Sequence, residues 1–113
     1  MLKIFTIADD NMTLNKVYQK MIINHKNKNV YDRIYNKFIR EMLGHKNIRD
    51  LTSNDIDYFY VYLKKKTYNG HLYSQSYIKM IMNLLKNIFD YGIENKYIDT
   101  NLVEIKLYFT QNH

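Results

Sequence analysis

Cysteine is missing from this 113-residue chain, so disulfides, thiolate metal sites and a cysteine nucleophile are all excluded. Proline is missing too, and glycine occurs only at Gly44, Gly70 and Gly92. Helices can therefore run without interruption, and two of the three glycines are expected to mark chain reversals, Gly44 from the left-handed position after a helix. Ala8 is the only alanine, within a composition weighted to Lys, Asn, Ile and Tyr. No apolar run approaches the roughly 18 residues of a membrane span, and Met1 to Ile7 is too short and too weakly charged for a signal peptide. The expectation is a cytoplasmic protein with no membrane partner.

What is present describes a folded, basic domain. Nearly half the residues are apolar and a quarter are charged, as in globular chains. Seventeen Lys and Arg against 11 Asp and Glu leave a formal charge of +6. Such an excess favours polyanions, nucleic acid before anionic membrane. The length suits one domain.

Apolar spacing predicts four main helices. Thr13 caps the first, whose inner face is Leu14, Val17, Tyr18, Met21 and Ile22. Asn29, with Asp32 three residues on, is the expected cap of the second. Val30, Tyr31, Ile34, Tyr35, Phe38 and Met42 form its inner face, and Arg33, Lys37 and Arg40 lie opposite. Thr52 and Asp55 form a capping pair for the third, with Ile56, Phe59, Tyr60 and Leu63 inward. Lys64, Lys65 and Lys66 come at its C-terminal end, where cations oppose the partial charge of the last carbonyls. A loop through Gly70 leads to Ser74 and the longest helix, where Ile78, Ile81, Met82, Leu85, Ile88, Phe89, Gly92 and Ile93 share a face. Ser76, Lys79, Asn83 and Lys86 form a polar flank of that helix, and Tyr77, Met80, Leu84 and Tyr91 an apolar one. Gly92 is expected to admit a close neighbour. Val103, Ile105, Leu107 and Phe109 alternate, as a short strand or an extended linker would.

Motifs of catalysis are missing. His25, His45, His71 and His113 have no second ligand at metal spacing, and solvated histidine is the simpler reading of each. There is no Gly-rich phosphate loop and no nucleophile elbow. The carboxylate pairs Asp9–Asp10, Asp55–Asp57 and Asp90–Glu94 are explained by capping or local solvation. No cofactor or metal is expected.

The basic and polar stripes have two readings. Arg and Lys neutralise phosphates while Ser, Asn and Gln reach phosphates or base edges. Equally, each stripe can be an ordinary solvated face. Gln75 and Ser76 begin the last helix, where an anion could dock on backbone N–H groups or where Ser74 or Ser76 simply caps. The segment from Lys64 to Tyr73 mixes lysines with Tyr68, His71 and Tyr73, as in single-strand or groove contacts or in a solvated loop.

Taken in order, the segment from Thr13 to Val103 resembles the SAM-like, core-binding N-terminal domain of phage integrases and other tyrosine recombinases. The resemblance rests on the Thr-capped TLNKVYQKMI, an aromatic second helix ending in Leu43-Gly44, then IRDLTSNDIDYFYVYL, then SQSYIKMIMNLLKNIFDYGIENKYI. Gly92 stands where the family usually has Ala, and Asn101 where an Asn commonly precedes Pro. Leu102 departs from that Pro. The family's His-x-x-Arg motif is nowhere in the chain.

The resemblance implies an all-α bundle of four main helices and a function in DNA integration and recombination. Residues 1–12 would be a tail, 13–103 the core-binding domain and 104–113 the start of a linker to an absent catalytic domain. The chain alone would not be an enzyme, although its parent would break and rejoin DNA. Its partners would be double-stranded DNA, the catalytic domain of the same parent and other protomers on DNA, with a monomer in isolation. Carried onto these residues, the DNA-facing set is Arg33, Lys37, Arg40, Gln75, Ser76, Lys79, Asn83 and Lys86, with Lys64, Lys65 and Lys66 as weaker members. The alternatives are a helical protein-interaction module, using the flank of Tyr77, Met80, Leu84 and Tyr91, and an unrelated small DNA-binding regulator. Against a helix-turn-helix stand the long spacer after the second helix and the acids that open the third.

Overall fold

The computed structural model describes residues 12–103, and these are mostly helical. Helix α1 spans Leu14–Ile22. The Thr13 hydroxyl accepts the Lys16 N–H at 3.2 Å, and Leu14, Val17, Tyr18 and Ile22 are buried along the expected face. Helix α2 spans Lys28–Ile34 and passes into a π turn, Tyr35–Ile39, then into α3, Arg40–Leu43.

The second helix departs from its sequence reading in two ways. Its N-cap is Asn27, so Asn29 lies inside the helix, and Asp32 does not close a capping box. Instead the Asp32 carboxylate accepts the Tyr18 hydroxyl and the Lys28 ammonium, each at 2.7 Å, and fastens α1 to α2. The π turn changes the inner face as well. One extra residue in a turn rotates the downstream side chains by about 100°. Ile39 and Leu43 are therefore buried and Met42 is only half-buried; Val30, in the first turn of α2 and upstream of the π turn, is exposed as well.

Gly44 does not take the left-handed conformation; its φ of −63° and ψ of −28° are helical. Its role is a close approach. A Cβ there would fall onto the Asn15 side chain, whose amide oxygen accepts the Tyr35 hydroxyl, while the Gly44 carbonyl accepts the Asn15 N–H at 3.0 Å. Replacing Gly44 with Ala is expected to destabilise the fold by about 1–3 kcal/mol, the cost of overpacking a filled site. Urea denaturation of the two proteins checks this, since elsewhere in a helix the same change stabilises by about 1 kcal/mol.

The spacer after α3 then runs back along the start of α1. Leu14 donates to the Lys46 carbonyl at 2.9 Å, and Ile48 donates to the Met12 carbonyl at 3.0 Å. Met12, expected to close the N-terminal tail, thus packs against the core of the domain. A 3-10 turn, Ile48–Asp50, buries Ile48 and delivers the chain to Thr52. The Thr52–Asp55 capping box forms as expected and opens α4, Ser53–Lys65, with Ile56, Phe59 and Leu63 buried.

The expected loop at Gly70 is a small antiparallel hairpin, β1 (Thr67–Tyr68) and β2 (His71–Leu72). Asn69 and Gly70 both have positive φ, 52° and 81°, as a tight hairpin turn that matches the strand twist demands. All four strand residues are exposed.

Helix α5, Gln75–Glu94, is the spine of the fold and packs against α1, the π turn and α4. Its Ser74 cap accepts the Tyr77 N–H at 3.1 Å, and eight of its residues, Ile78 through Gly92, are buried. Space at Gly92 is taken by the Ile48 and Ile98 side chains, which would sit 3.1–3.3 Å from a Cβ. The helix ends with Lys96 at φ 64°, where Tyr97 donates to the Gly92 carbonyl at 2.8 Å and Lys96 to that of Ile93 at 3.0 Å. This double bond pattern satisfies two terminal carbonyls, and a lysine holds the left-handed position that usually falls to glycine. Leu102 and Val103 are helical, not extended. Ile105, Leu107 and Phe109 lie outside the described residues, as do residues 1–11.

Candidate nucleic-acid interface

The hairpin and the start of α5 carry a cluster of stacked rings with a lysine against them. Tyr73, between β2 and the Ser74 cap, stacks on Tyr77 with centroids 5.2 Å apart and on Tyr68 at 5.9 Å. The planes are 19° and 24° from parallel, so three tyrosines make one short stack. Phe38, from the π turn, presents its edge to Tyr73 and Tyr77 at 5.4 and 5.8 Å. Lys37, one residue earlier, places its ammonium 5.1 Å from the Tyr68 centroid, 5.4 Å from Phe38 and 5.9 Å from Tyr73. Rings hold this cation at a fixed place without neutralising it.

Of the three lysines at the end of α4, Lys66 is the one that reaches this cluster, through Tyr73. Lys64 and Lys65 are exposed, with Lys64 against the Tyr60 ring at 5.2 Å. Lys66 lies 5.4 Å from the Tyr62 centroid. Tyr62 beside it raises its ammonium pKa, with smaller contributions from Tyr73 and Glu41. Gln75 and Ser76 are exposed directly after the Tyr73 stack.

Other members of the expected set lie apart from this cluster. Arg33 is exposed on α2, and Arg40 donates to the Asn36 side chain at 3.2 Å. Lys79 and Asn83 are exposed on α5. Phe38 meets α5 at Tyr77, and at 3.6 residues per turn Tyr77 and Lys79 point about 160° apart. The stripe of the second helix and that of α5 therefore do not merge into one face. Lys86 lies about 16 Å along α5 from Gln75. Its ammonium pairs with Asp90 at 3.2 Å, where Asp90 also accepts the buried Asn101 side chain at 2.7 Å. Lys86 serves the closure of the C-terminal turn.

What the sequence did not flag is the company kept by Lys37. Phe38 reads as core and Tyr68 as loop, and only the fold sets them around one ammonium. The Asn69-Gly70 pair was the available signal for the hairpin.

A second polar cluster lies on the opposite half of the bundle. Tyr18 and Tyr35 stack at 4.0 Å with planes 3° apart, beside Asp32, Asn15 and Arg40. Burial, then the Asp32 hydrogen bond, pushes the Tyr18 phenol well above its usual range, and burial does the same to Tyr35. Lys28 and then Tyr18 hold Asp32 below the usual carboxylate range. Both shifts run away from neutrality, so the pair is poised for neither general base nor general acid work near neutral pH. Burial pushes Asp55 up, but the Thr52 N–H and the Lys46 ammonium outweigh it and hold that carboxyl low, as suits a cap.

The apolar flank of α5 is largely covered. Leu84 is buried, Tyr77 and Tyr91 are half-buried, and Met80 is exposed. Among the described residues, no group of three or more His, Cys, Asp or Glu side chains is placed to hold a metal ion, and no helix is long and apolar enough to cross a membrane. No family model, curated protein or solved structure matches the chain.

Proposed function

We propose that this chain is the DNA-gripping core-binding domain of a tyrosine recombinase, a SAM-like helical bundle that holds duplex DNA beside the crossover site. The parent would carry the strand-breaking chemistry on a separate catalytic domain, and this domain would contribute grip and position. The ordered resemblance from Thr13 to Val103 supports the reading, as does the net charge of +6.

The observation that carries it is the cluster at the hairpin and the start of α5, where the Lys37 ammonium lies against Tyr68 and Tyr73 of the tyrosine stack and the adjoining segments expose Lys64, Lys65, Gln75 and Ser76. Lysines there take phosphates, and Gln75 and Ser76 reach phosphates or base edges. Lys79, Asn83, Arg33 and Arg40 extend the footprint along two flanks. In isolation the domain is a cytoplasmic monomer with weak binding, on the order of 10⁻⁴ to 10⁻⁶ M, because sequence-independent phosphate contact dominates.

Fluorescence anisotropy of a random-sequence duplex against salt tests this. The native chain is expected to bind at low salt and to lose affinity steeply as salt rises. Lys37→Ala/Lys65→Ala is expected to flatten the log–log slope by about two, one for each phosphate contact. Lys86→Ala, which removes a cation already paired with Asp90, leaves the slope unchanged. A native chain that does not bind at low salt sinks the reading.

A further inference from the structure

The hairpin of Thr67–Leu72 adds no buried residue to the core. Its four strand residues are exposed, and Tyr68 and Leu72 stand 56% and 63% in solvent. It is closed by a two-residue turn at Asn69 and Gly70, with the pairs Thr67–Leu72 and Tyr68–His71 in register. Its one large ring is also aligned. Tyr68 is the outer member of the near-parallel stack that continues through Tyr73 to Tyr77, while Tyr73 and Tyr77 are half-buried against Phe38. The stack is thus anchored in the core at one end and open at the other.

The charges near the stack include the Lys37 and Lys66 ammoniums and the Glu41 carboxylate. Lys37 lies against both Tyr68 and Tyr73, and Lys64, Lys65 and Lys66 run directly into β1. An exposed ring on a hairpin, with a lysine held against it, fits a flat ring that itself carries an anionic backbone.

We propose that Tyr68 is a stacking platform for an unpaired nucleobase, and that Lys37 and the 64–66 lysines hold the phosphates beside it. The ligand class is single-stranded nucleic acid, for which stacking on an exposed aromatic supplies affinity that tolerates any sequence. A base in an intact duplex is stacked on its neighbours and cannot lie on Tyr68. The site therefore goes beyond the duplex-gripping reading and does not depend on it.

The test is the affinity of a short oligothymidylate, read by anisotropy in parallel with a random-sequence duplex. Native protein, Tyr68→Ala and Tyr68→Phe are compared, all checked for folding by circular dichroism. The expected result is single-strand binding that Tyr68→Ala weakens about 5- to 100-fold, the range of one base–aromatic stack. Tyr68→Phe retains it. The salt slope of Tyr68→Ala matches the native one, because no charge is removed, and its duplex affinity stays within about twofold. No binding of oligothymidylate by the native chain overturns the proposal, as does equal affinity of Tyr68→Ala and native. Duplex binding without single-strand binding leaves the recombinase-domain reading standing alone. Single-strand binding with the Tyr68 dependence and no duplex binding leaves the platform standing and removes that reading.

Discussion

Phe38→Ala is expected to lower stability by about 3–5 kcal/mol, the usual cost of deleting a buried phenyl ring. At about 4–8 °C per kcal/mol for a domain of this size, the melting midpoint falls by at least about 12 °C. Only 2% of Phe38 is exposed, and its ring closes the joint between the π turn and α5 by meeting Tyr73 and Tyr77 edge-on. Removing it leaves a cavity that the surrounding tyrosines, fixed by their own stacking, cannot fill. The same change at exposed Tyr68 stays within about 0.5 kcal/mol, as surface substitutions do. Two neighbours sharpen the test of the π turn itself. Ile39→Ala costs about 2–5 kcal/mol because Ile39 is fully buried, and Met42→Ala costs clearly less. An uninterrupted α-helix reverses that order. Thermal and urea denaturation of the variants decide it.

Asn101→Ala is expected to cost about 2–4 kcal/mol, a large effect for one polar side chain. Asn101 is 6% exposed, and its amide group bridges three points of the chain. The Nδ2 group donates to the Lys86 carbonyl at 3.1 Å and to the Asp90 carboxylate at 2.7 Å. The Oδ1 atom accepts the buried Val103 N–H at 3.1 Å. Truncation leaves that N–H without this acceptor, and each buried group so stranded costs about 1–3 kcal/mol. Asp90 keeps its Lys86 partner, so the loss concentrates on the turn after α5. Hydrogen exchange of the Val103 amide is the local readout, and it accelerates in the variant. A cost below about 1 kcal/mol, less than one stranded buried group, would show that the turn is not closed by this side chain.

Features fixed within one turn of helix were legible from the sequence. Thr13, Thr52 with Asp55, and Ser74 cap as expected, since a cap depends on residues three apart. So were the buried faces of α1, α4 and α5, which keep an unbroken helical period, except that Ile93, in the last turn of α5, is exposed and not inward as expected. The second helix was not, because its π turn is set by what Tyr35, Phe38 and Ile39 pack against, and no local pattern announces an extra residue. The left-handed position expected at Gly44 falls instead to Lys96, for a similar reason. Contact with Asn15 requires a glycine at 44, while the tight reversal at Tyr97 holds a lysine left-handed. The candidate interface was legible as stripes of charge but not as a place. Lys37 meets Tyr68 and Tyr73 only once the chain has passed through α4, and Lys86 turns from its stripe to Asp90 because Asn101 organises that end.

Amide chemical-shift mapping of the chain titrated with duplex DNA at low salt decides where, and whether, the domain holds DNA. Perturbations are expected to concentrate at Lys37 and at residues 64–76, with weaker ones at Arg33, Arg40, Lys79 and Asn83, and quiet amides around Lys86 and Asn101. Shifts confined to the groove between Ile48 and Thr100, or no shifts at all, would contradict the proposed interface.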